Sequence, residues 1–152
     1  NLQISMKKHN HNENINSSII LYLIKSAKYQ CEKTIQNMRI IHILIDNYLI
    51  DNNHFAELPP NKKCKNFSLD ISFICLPDEL VKNVEKMLKK FQISVNQILS
   101  ASYINKYVSD RDFNFFEMTS KIIGGHNKNE VKLVNKTSKN KGFFEKFFDL
   151  FS

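Results

Sequence analysis

The sequence predicts a small α+β domain followed by an amphipathic terminal helix, and three observations carry that reading. Met38–Asp51 is rich in Ile and Phe67–Leu76 alternates more cleanly, so both have strand character. The second run passes through Pro77 into a helix-period run that ends at Phe91. After residue 126 the composition turns to Asn and Lys, and the chain then reads Gly142-Phe-Phe-Glu-Lys-Phe-Phe-Asp-Leu-Phe-Ser152. A length of 152 residues suits one ordinary domain with its own core and is too short for two large ones.

Residues 1–16 are polar, with a short strand-like LQISMK start and then HNHNENIN, which predicts a loop. Ser17–Tyr29 places Ile20, Leu23, Ile24 and Ala27 at helical spacing, with Ser17 or Ser18 as the expected cap. In Met38–Asp51, Ile41, Ile43 and Ile45 alternate with Ile40, His42 and Leu44, so the strand is apolar on both faces. The stretch 52–66, with Pro59-Pro60 and a small Lys cluster, is expected to be a connecting loop.

Phe67, Leu69, Ile71, Phe73 and Cys75 share one strand face, while Ser68, Asp70 and Ser72 point away. Past Pro77, Asp78 and Glu79 sit where a helix N-terminus favours carboxylates, and Lys86, Lys89 and Lys90 lie toward the other end. Leu80, Val81, Val84, Met87, Leu88 and Phe91 form one helical face, expected to be buried. A further strand is expected at about Ile93–Ala101, leading through Tyr103 and Tyr107 to a charged turn at Ser109–Asp112. The stretch Asn127–Lys141 reads largely as a linker.

The formal net charge of +7 comes almost wholly from Lys, since Arg occurs only at Arg39 and Arg111. A basic chain suits nucleic acid or an anionic membrane, and charge alone decides neither. The rival reading is a small nucleic-acid-binding protein, with Phe113, Phe115 and Phe116 as stacking rings. Against it, the Lys residues are spread along the chain rather than gathered on one element, so no nucleic-acid partner is expected. Cys31, Cys64 and Cys75 have no CxxC spacing and read as reduced, mostly buried thiols. No Cys/His/Asp/Glu set has metal-ligand spacing, and neither a GxSxG nor a GxxxxGK[ST] frame occurs. No metal, no catalytic residue and no enzyme activity are therefore expected. No apolar run reaches the ~18 residues of a spanning helix, and without an initiator Met the chain reads as a fragment or truncated product.

Projected at ~100° per residue, Phe143, Phe144, Phe147, Phe148, Leu150 and Phe151 fall in one arc, with Glu145, Lys146, Asp149 and Ser152 opposite. Ten residues of helix are about 15 Å long, too short to cross a bilayer but able to lie in the headgroup plane. Each buried Phe contributes about 1.5–3 kcal/mol, while ordering each residue costs about 1–2 kcal/mol. Lys136, Lys139, Lys141 and Lys146 each add about 1 kcal/mol near anionic lipid. One copy is therefore a weak, reversible anchor, and stable attachment calls for several copies acting together.

The segments IKSAKYQCEKTIQNMRIIHILIDNYLID (Ile24–Asp51) and ISFICLPDELVKNVEKMLKKFQISVNQILSASYINKY (Ile71–Tyr107) resemble FtsA, the actin-like bacterial cell-division protein. NLQISMKKHN is similar to the segment before that region. The resemblance covers about two thirds of the chain and implies the inserted 1C subdomain of SHS2 type. It divides the chain into a remnant of subdomain 1A (1–16), an SHS2-like domain (17–108), a degenerate core remnant (109–134), a flexible linker (135–141) and a membrane helix (142–152). It implies a scaffold at the cytoplasmic face of the inner membrane at the division site, self-associating and contacting other division proteins. An inactive remnant of a truncated gene is the alternative within the family.

Departures from the family pattern fall on nucleotide chemistry. Where the family carries a DIGGGTTD-like phosphate loop, this chain has Ile122-Ile-Gly-Gly-His-Asn-Lys-Asn-Glu130. Gly124 and Gly125 match two loop glycines, but Ile122 replaces the Asp and His126 replaces a Gly. Glycines let backbone N–H groups approach phosphate, and the carboxylate handles metal or water. A chain lacking them is not expected to use ATP, and the pair is equally an ordinary Gly-Gly turn. No counterpart of domain 2, the FtsZ-binding part, is present, so direct FtsZ contact is not expected.

Overall fold

The computed structural model describes residues 1–108 and 114–132. It is a mixed α+β arrangement whose centre is an antiparallel sheet in the order β1-β4-β2-β3. The strands are β1 (Leu2–Asn14), β2 (Met38–Ile50), β3 (Asn53–Phe55) and β4 (Lys63–Pro77). The helices are α1 (Ser17–Thr34), α2 (Asp78–Lys89), α3 (Ala101–Val108) and α4 (Phe115–Ile123).

Strand alternation sorts the apolar residues into two cores. Ile43 and Ile45 of β2, with Phe67, Leu69, Ile71 and Phe73 of β4, pack under Ile20, Leu23, Ile24, Ala27 and Cys31 of α1. Leu44 and Ile74, one step out of phase on the same strands, face Tyr103 and Ile104 of α3 and Met118 and Ile122 of α4. The double-faced apolar character of β2 follows directly from this layering: it and β4 are covered on both sides.

Several local expectations are corrected. The polar run after Lys8 is not a loop, because β1 continues to Asn14 across a bulge between His9 and Glu13. His11 and Asn12 take positive φ there (44° and 62°), a conformation His and Asn tolerate better than most residues. The buried Asn10 amide donates to the Glu13 carbonyl at 2.7 Å and holds the bulge. The cap of α1 is Asn16, not Ser17 or Ser18: its side chain accepts from the Ile19 N–H at 3.1 Å. The helix runs past Tyr29 to Thr34, since Cys31 continues its buried stripe.

The expected loop 52–66 contains β3 and the start of β4. Asp51 and Asn52 both take positive φ (47° and 69°) and link β2 to β3 through a two-residue turn, the geometry usually given to Asn-Gly. The Asp51 carboxylate then accepts the Lys65 and Asn66 N–H groups at 3.0 and 2.8 Å, tying β4 to the turn.

The strand expected at Ile93–Ala101 is absent: residues 93–100 form no regular element, and Tyr103 and Tyr107 lie on α3. Part of the β2 edge is taken instead by residues 129–131. Ile45 N–H donates to the Asn129 carbonyl and Val131 N–H to the Ile43 carbonyl, both at 2.9 Å. Within the stretch 127–141, read largely as a linker, residues 129–131 are thus held against the sheet. The charged turn at Ser109–Asp112 lies outside the described residues.

Candidate functional site

The α2 helix is the element whose surroundings depart most from expectation. Asp78 and Glu79 open it and Lys86 and Lys89 close it, as the helix dipole favours. Its periodicity is intact, yet of the face expected to be buried only Val81 is (2% exposed) and Leu88 is half-buried. Leu80, Met87 and Phe91 are 51%, 54% and 71% exposed, and Val84 and the following Ile93 are exposed too. The reason lies in how α2 is attached. Arg39 of β2 reaches Asp78 at 2.9 Å and Glu85 at 2.6 Å, fixing the helix by its polar edge. Lys82 adds a second partner to Asp78 at 2.6 Å. The bond from Lys82, then Arg39, holds the Asp78 carboxyl below the usual carboxylate range. Only the Val81 side of the apolar stripe meets the domain, so Leu80, Val84, Met87 and Phe91 form a strip facing outward.

Beside α2, a pocket of about 200 Å³ lies among Arg39, Ile41, Glu85, Val95 and Gln97. A larger polar groove of about 500 Å³ sits at the β1 bulge, lined by Lys8, His9, His11, Glu13 and Tyr22. The His9 and His11 rings meet edge to face there, with centroids 4.6 Å apart.

The second concentration of polar chemistry is interior. His42 Nδ1 and Glu130 Oε1 are 2.7 Å apart, both residues buried. His42 Nε2 faces the Ser100 N–H at 2.9 Å, so Nε2 accepts and the ring proton sits on Nδ1, donated to the carboxylate. The Tyr103 hydroxyl donates to Glu130 Oε2 at 3.0 Å and accepts from the Asn127 amide at 2.9 Å. Burial raises the Tyr103 hydroxyl pKa above its ordinary value, with the Glu130 charge adding to it. A His–Glu–Tyr set has the residue types of acid–base catalysis. Here the imidazole nitrogen that would take a proton is occupied by a backbone N–H, and the ring is fully enclosed. The network's work is structural: it fastens residues 127–130 and α3 onto β2.

Sequence reasoning missed this network because His42, Glu130 and Tyr103 are far apart in the chain. No local signal marks Glu130, which sits in a run of Asn and Lys.

Gly124 and Gly125 end α4. Gly125 has φ 87°, its N–H donates to the Ile122 carbonyl, and the His126 N–H reaches back to the Lys121 carbonyl at 2.9 Å. That is the Schellman arrangement, with the positive-φ glycine just past the helix. It uses the N–H groups of residues 125 and 126 that a phosphate cradle would need. Residues 143, 144, 146, 147, 148, 150 and 151, the expected membrane contacts, lie outside the described residues.

Cys31 and Cys64 are buried and Cys75 is partly so. Burial, reinforced by the hydrogen-bonded Cys75 thiol, pushes Cys31 up to about 12. Among the described residues no group of three or more His, Cys, Asp or Glu is placed to hold a metal ion. Nor is any described helix long and apolar enough to cross a membrane.

Compared with models of known protein families the chain matches none, and no curated protein matches it significantly.

Proposed function

We propose that this chain is a non-enzymatic interaction module of the FtsA kind, an SHS2-like domain held at the cytoplasmic membrane face by residues 142–152. Within that reading it contacts division proteins and further copies of itself at the division site, without nucleotide turnover.

The observation that carries the proposal is the outward apolar strip of α2. A helix with full amphipathic periodicity, pinned by its polar edge so that Leu80, Met87 and Phe91 stay exposed, suits a surface made for contact. Two further features support it: the resemblance of Ile24–Asp51 and Ile71–Tyr107 to FtsA, and the apolar set of five Phe and Leu150 at 143–151. An enzymatic reading has less behind it, since the buried His42–Glu130 pair is enclosed and its unprotonated imidazole nitrogen is occupied by a backbone N–H.

The test is co-sedimentation with vesicles containing anionic lipid, comparing the full chain with one ending at Lys141. The full chain is expected to pellet and the shortened chain to stay in solution. If both stay soluble at micromolar protein, the tether is wrong. If pelleting is equal, lipid binding resides in the domain.

A further inference from the structure

The apolar strip of α2 is fastened at its far end as well as along its polar edge. Phe91 N–H donates to the Leu88 carbonyl at 2.9 Å and Gln92 N–H to the Lys89 carbonyl at 3.0 Å. Ile93 N–H then returns to the Leu88 carbonyl at 3.1 Å. Gln92 takes φ 60°, so this is a Schellman end built without glycine. It carries the helical turn through Phe91 and keeps that residue in line with Leu80, Val84 and Met87. The strip from Leu80 to Phe91 is thus a fixed surface about 16 Å long.

We infer that two copies of this chain pair through α2, strip against strip and antiparallel, about a two-fold axis near the midpoint of the helix. The inference rests on the self-association reading above and names the surface that carries it.

Charge selects this occupant. Projected at ~100° per residue, Leu80, Val84, Met87 and Phe91 lie within an arc of about 60°. Val81 and Leu88, which meet the domain, lie on one flank of that arc. Glu79 and Lys90 lie on the other, about 100° from the strip's centre and within about 20° of each other. Both are exposed, and neither has an ion-pair partner among the described residues. The other acids of the helix, Asp78 and Glu85, are held by Arg39 and Lys82. The open flank therefore carries an acid at one end and a base at the other. Such an edge is complementary to itself reversed, as an isologous two-fold contact requires. An anionic lipid surface, by contrast, would meet Glu79 as well as Lys90.

The register follows from the spacing. Setting Leu80 against Phe91 of the second copy sets Val84 against Met87. Glu79 then falls within about 3 Å, along the axis, of Lys90 of the second copy. The two-fold gives this ion pair twice, and the helix dipoles run in opposite directions. Lys86 lies farther round the flank, about 130° from the strip's centre, and points clear of its own mate.

Area sets the strength. At about half exposure a large apolar side chain presents about 100 Å², so Leu80, Val84, Met87, Phe91 and Ile93 offer on the order of 500 Å². Two copies bury on the order of 1,000 Å², below the roughly 1,200–2,000 Å² of stable complexes. The pairing is accordingly weak, half formed at about 10–100 µM.

Sedimentation velocity of the full chain in lipid-free buffer, from about 5 to 300 µM, is expected to show monomer passing into dimer. The chain with Met87→Asp and Phe91→Asp is expected to stay monomeric throughout. Glu79→Lys alone and Lys90→Glu alone each turn two attractions into repulsions, weakening the dimer about four- to thirtyfold. Mixing these two variants in equal amounts is expected to restore it, because every charged contact across the axis is then Lys against Glu. All four substitutions fall on exposed residues, and circular dichroism checks that the fold is kept.

A parent chain that stays monomeric at the top of that range overturns the inference. So does association that survives Met87→Asp with Phe91→Asp, which places the contact elsewhere. So does a mixture that recovers nothing of what the single reversals lose. Vesicle pelleting reads the tether separately: a chain that dimerises without pelleting keeps the pairing and loses the tether. One that pellets while monomeric in buffer loses the pairing alone.

Discussion

Glu130 satisfies two groups that have no access to water. Its carboxylate takes the ring proton of His42 at one oxygen and the Tyr103 hydroxyl at the other. Removing it in Glu130→Ala leaves both donors buried, each orphan costing about 1–3 kcal/mol. It also weakens the hold of residues 129–131 on the β2 edge. The expected loss is about 3 kcal/mol in urea unfolding, with Glu130→Gln losing less because one acceptor oxygen remains. A loss under about 0.5 kcal/mol, the usual range for surface changes, would show that the network does not bind that segment to the sheet. In the sequence, Glu130 sits in a run of Asn and Lys, and nothing local distinguishes a buried carboxylate from a solvated one. The partner that decides the matter, His42, is 88 residues away. Gly124 and Gly125 show the opposite case. Two glycines after an apolar run are a helix-stop signal in their own right, and the structure uses them so.

At the scale of elements, periodicity was legible and burial was not. The alternation of Phe67 to Cys75 specifies a strand face, and β4 buries Phe67, Leu69, Ile71 and Phe73 completely. The spacing of Leu80 to Phe91 specifies a helix face equally well, yet only its Val81 edge meets a partner. Periodicity says which residues share a face; whether anything covers it depends on how the element is attached. For α2 the attachment is the Arg39 fork to Asp78 and Glu85, which no local pattern reveals. Stability should therefore split across this helix. Val81→Ala is expected to cost about 1–3 kcal/mol as a buried truncation. Met87→Asp in the chain ending at Lys141 should stay within about 0.5 kcal/mol of the parent, both read from urea midpoints. A large loss from Met87→Asp would mean that the strip is covered after all. The misread segments at 93–100 and 52–66 share a cause too. Ile93, Val95 and Ile98 have β-forming residue types but little open edge to join, while Asp51-Asn52 makes a tight turn without glycine.

The whole molecule is two apolar layers sharing one sheet, and its titratable groups show whether the layers unfold together. On the α1 side, burial raises the Cys31 thiol from 9.0 to about 12 and the Tyr48 hydroxyl from 10.0 to about 12. On the α3 side, burial raises the Tyr103 hydroxyl as well. Each of these groups is neutral when protonated, so the fold favours the protonated form. Their contribution is complete below the unfolded values and is lost as pH climbs through them toward the folded ones. Stability should be flat for these groups up to about pH 9. It should then fall by about 1.4 kcal/mol per pH unit for each group that has ionised only in the unfolded chain. Between about 9 and 10 Cys31 acts together with Cys64 and Cys75, whose thiols burial also raises, and Tyr48 and Tyr103 join above 10. The check is a series of urea unfolding curves from pH 8 to 11, repeated with Cys31→Ala. That variant is expected to be less stable at every pH, but its decline between 9 and 10 should be shallower by one group's slope. If one cooperative transition governs both layers, the steepening above pH 10 should appear at the same midpoint by α1-side and α3-side probes. Separate midpoints would mean that the layer of α3, α4 and residues 127–132 opens on its own, leaving the sheet and α1 as the smaller folding unit.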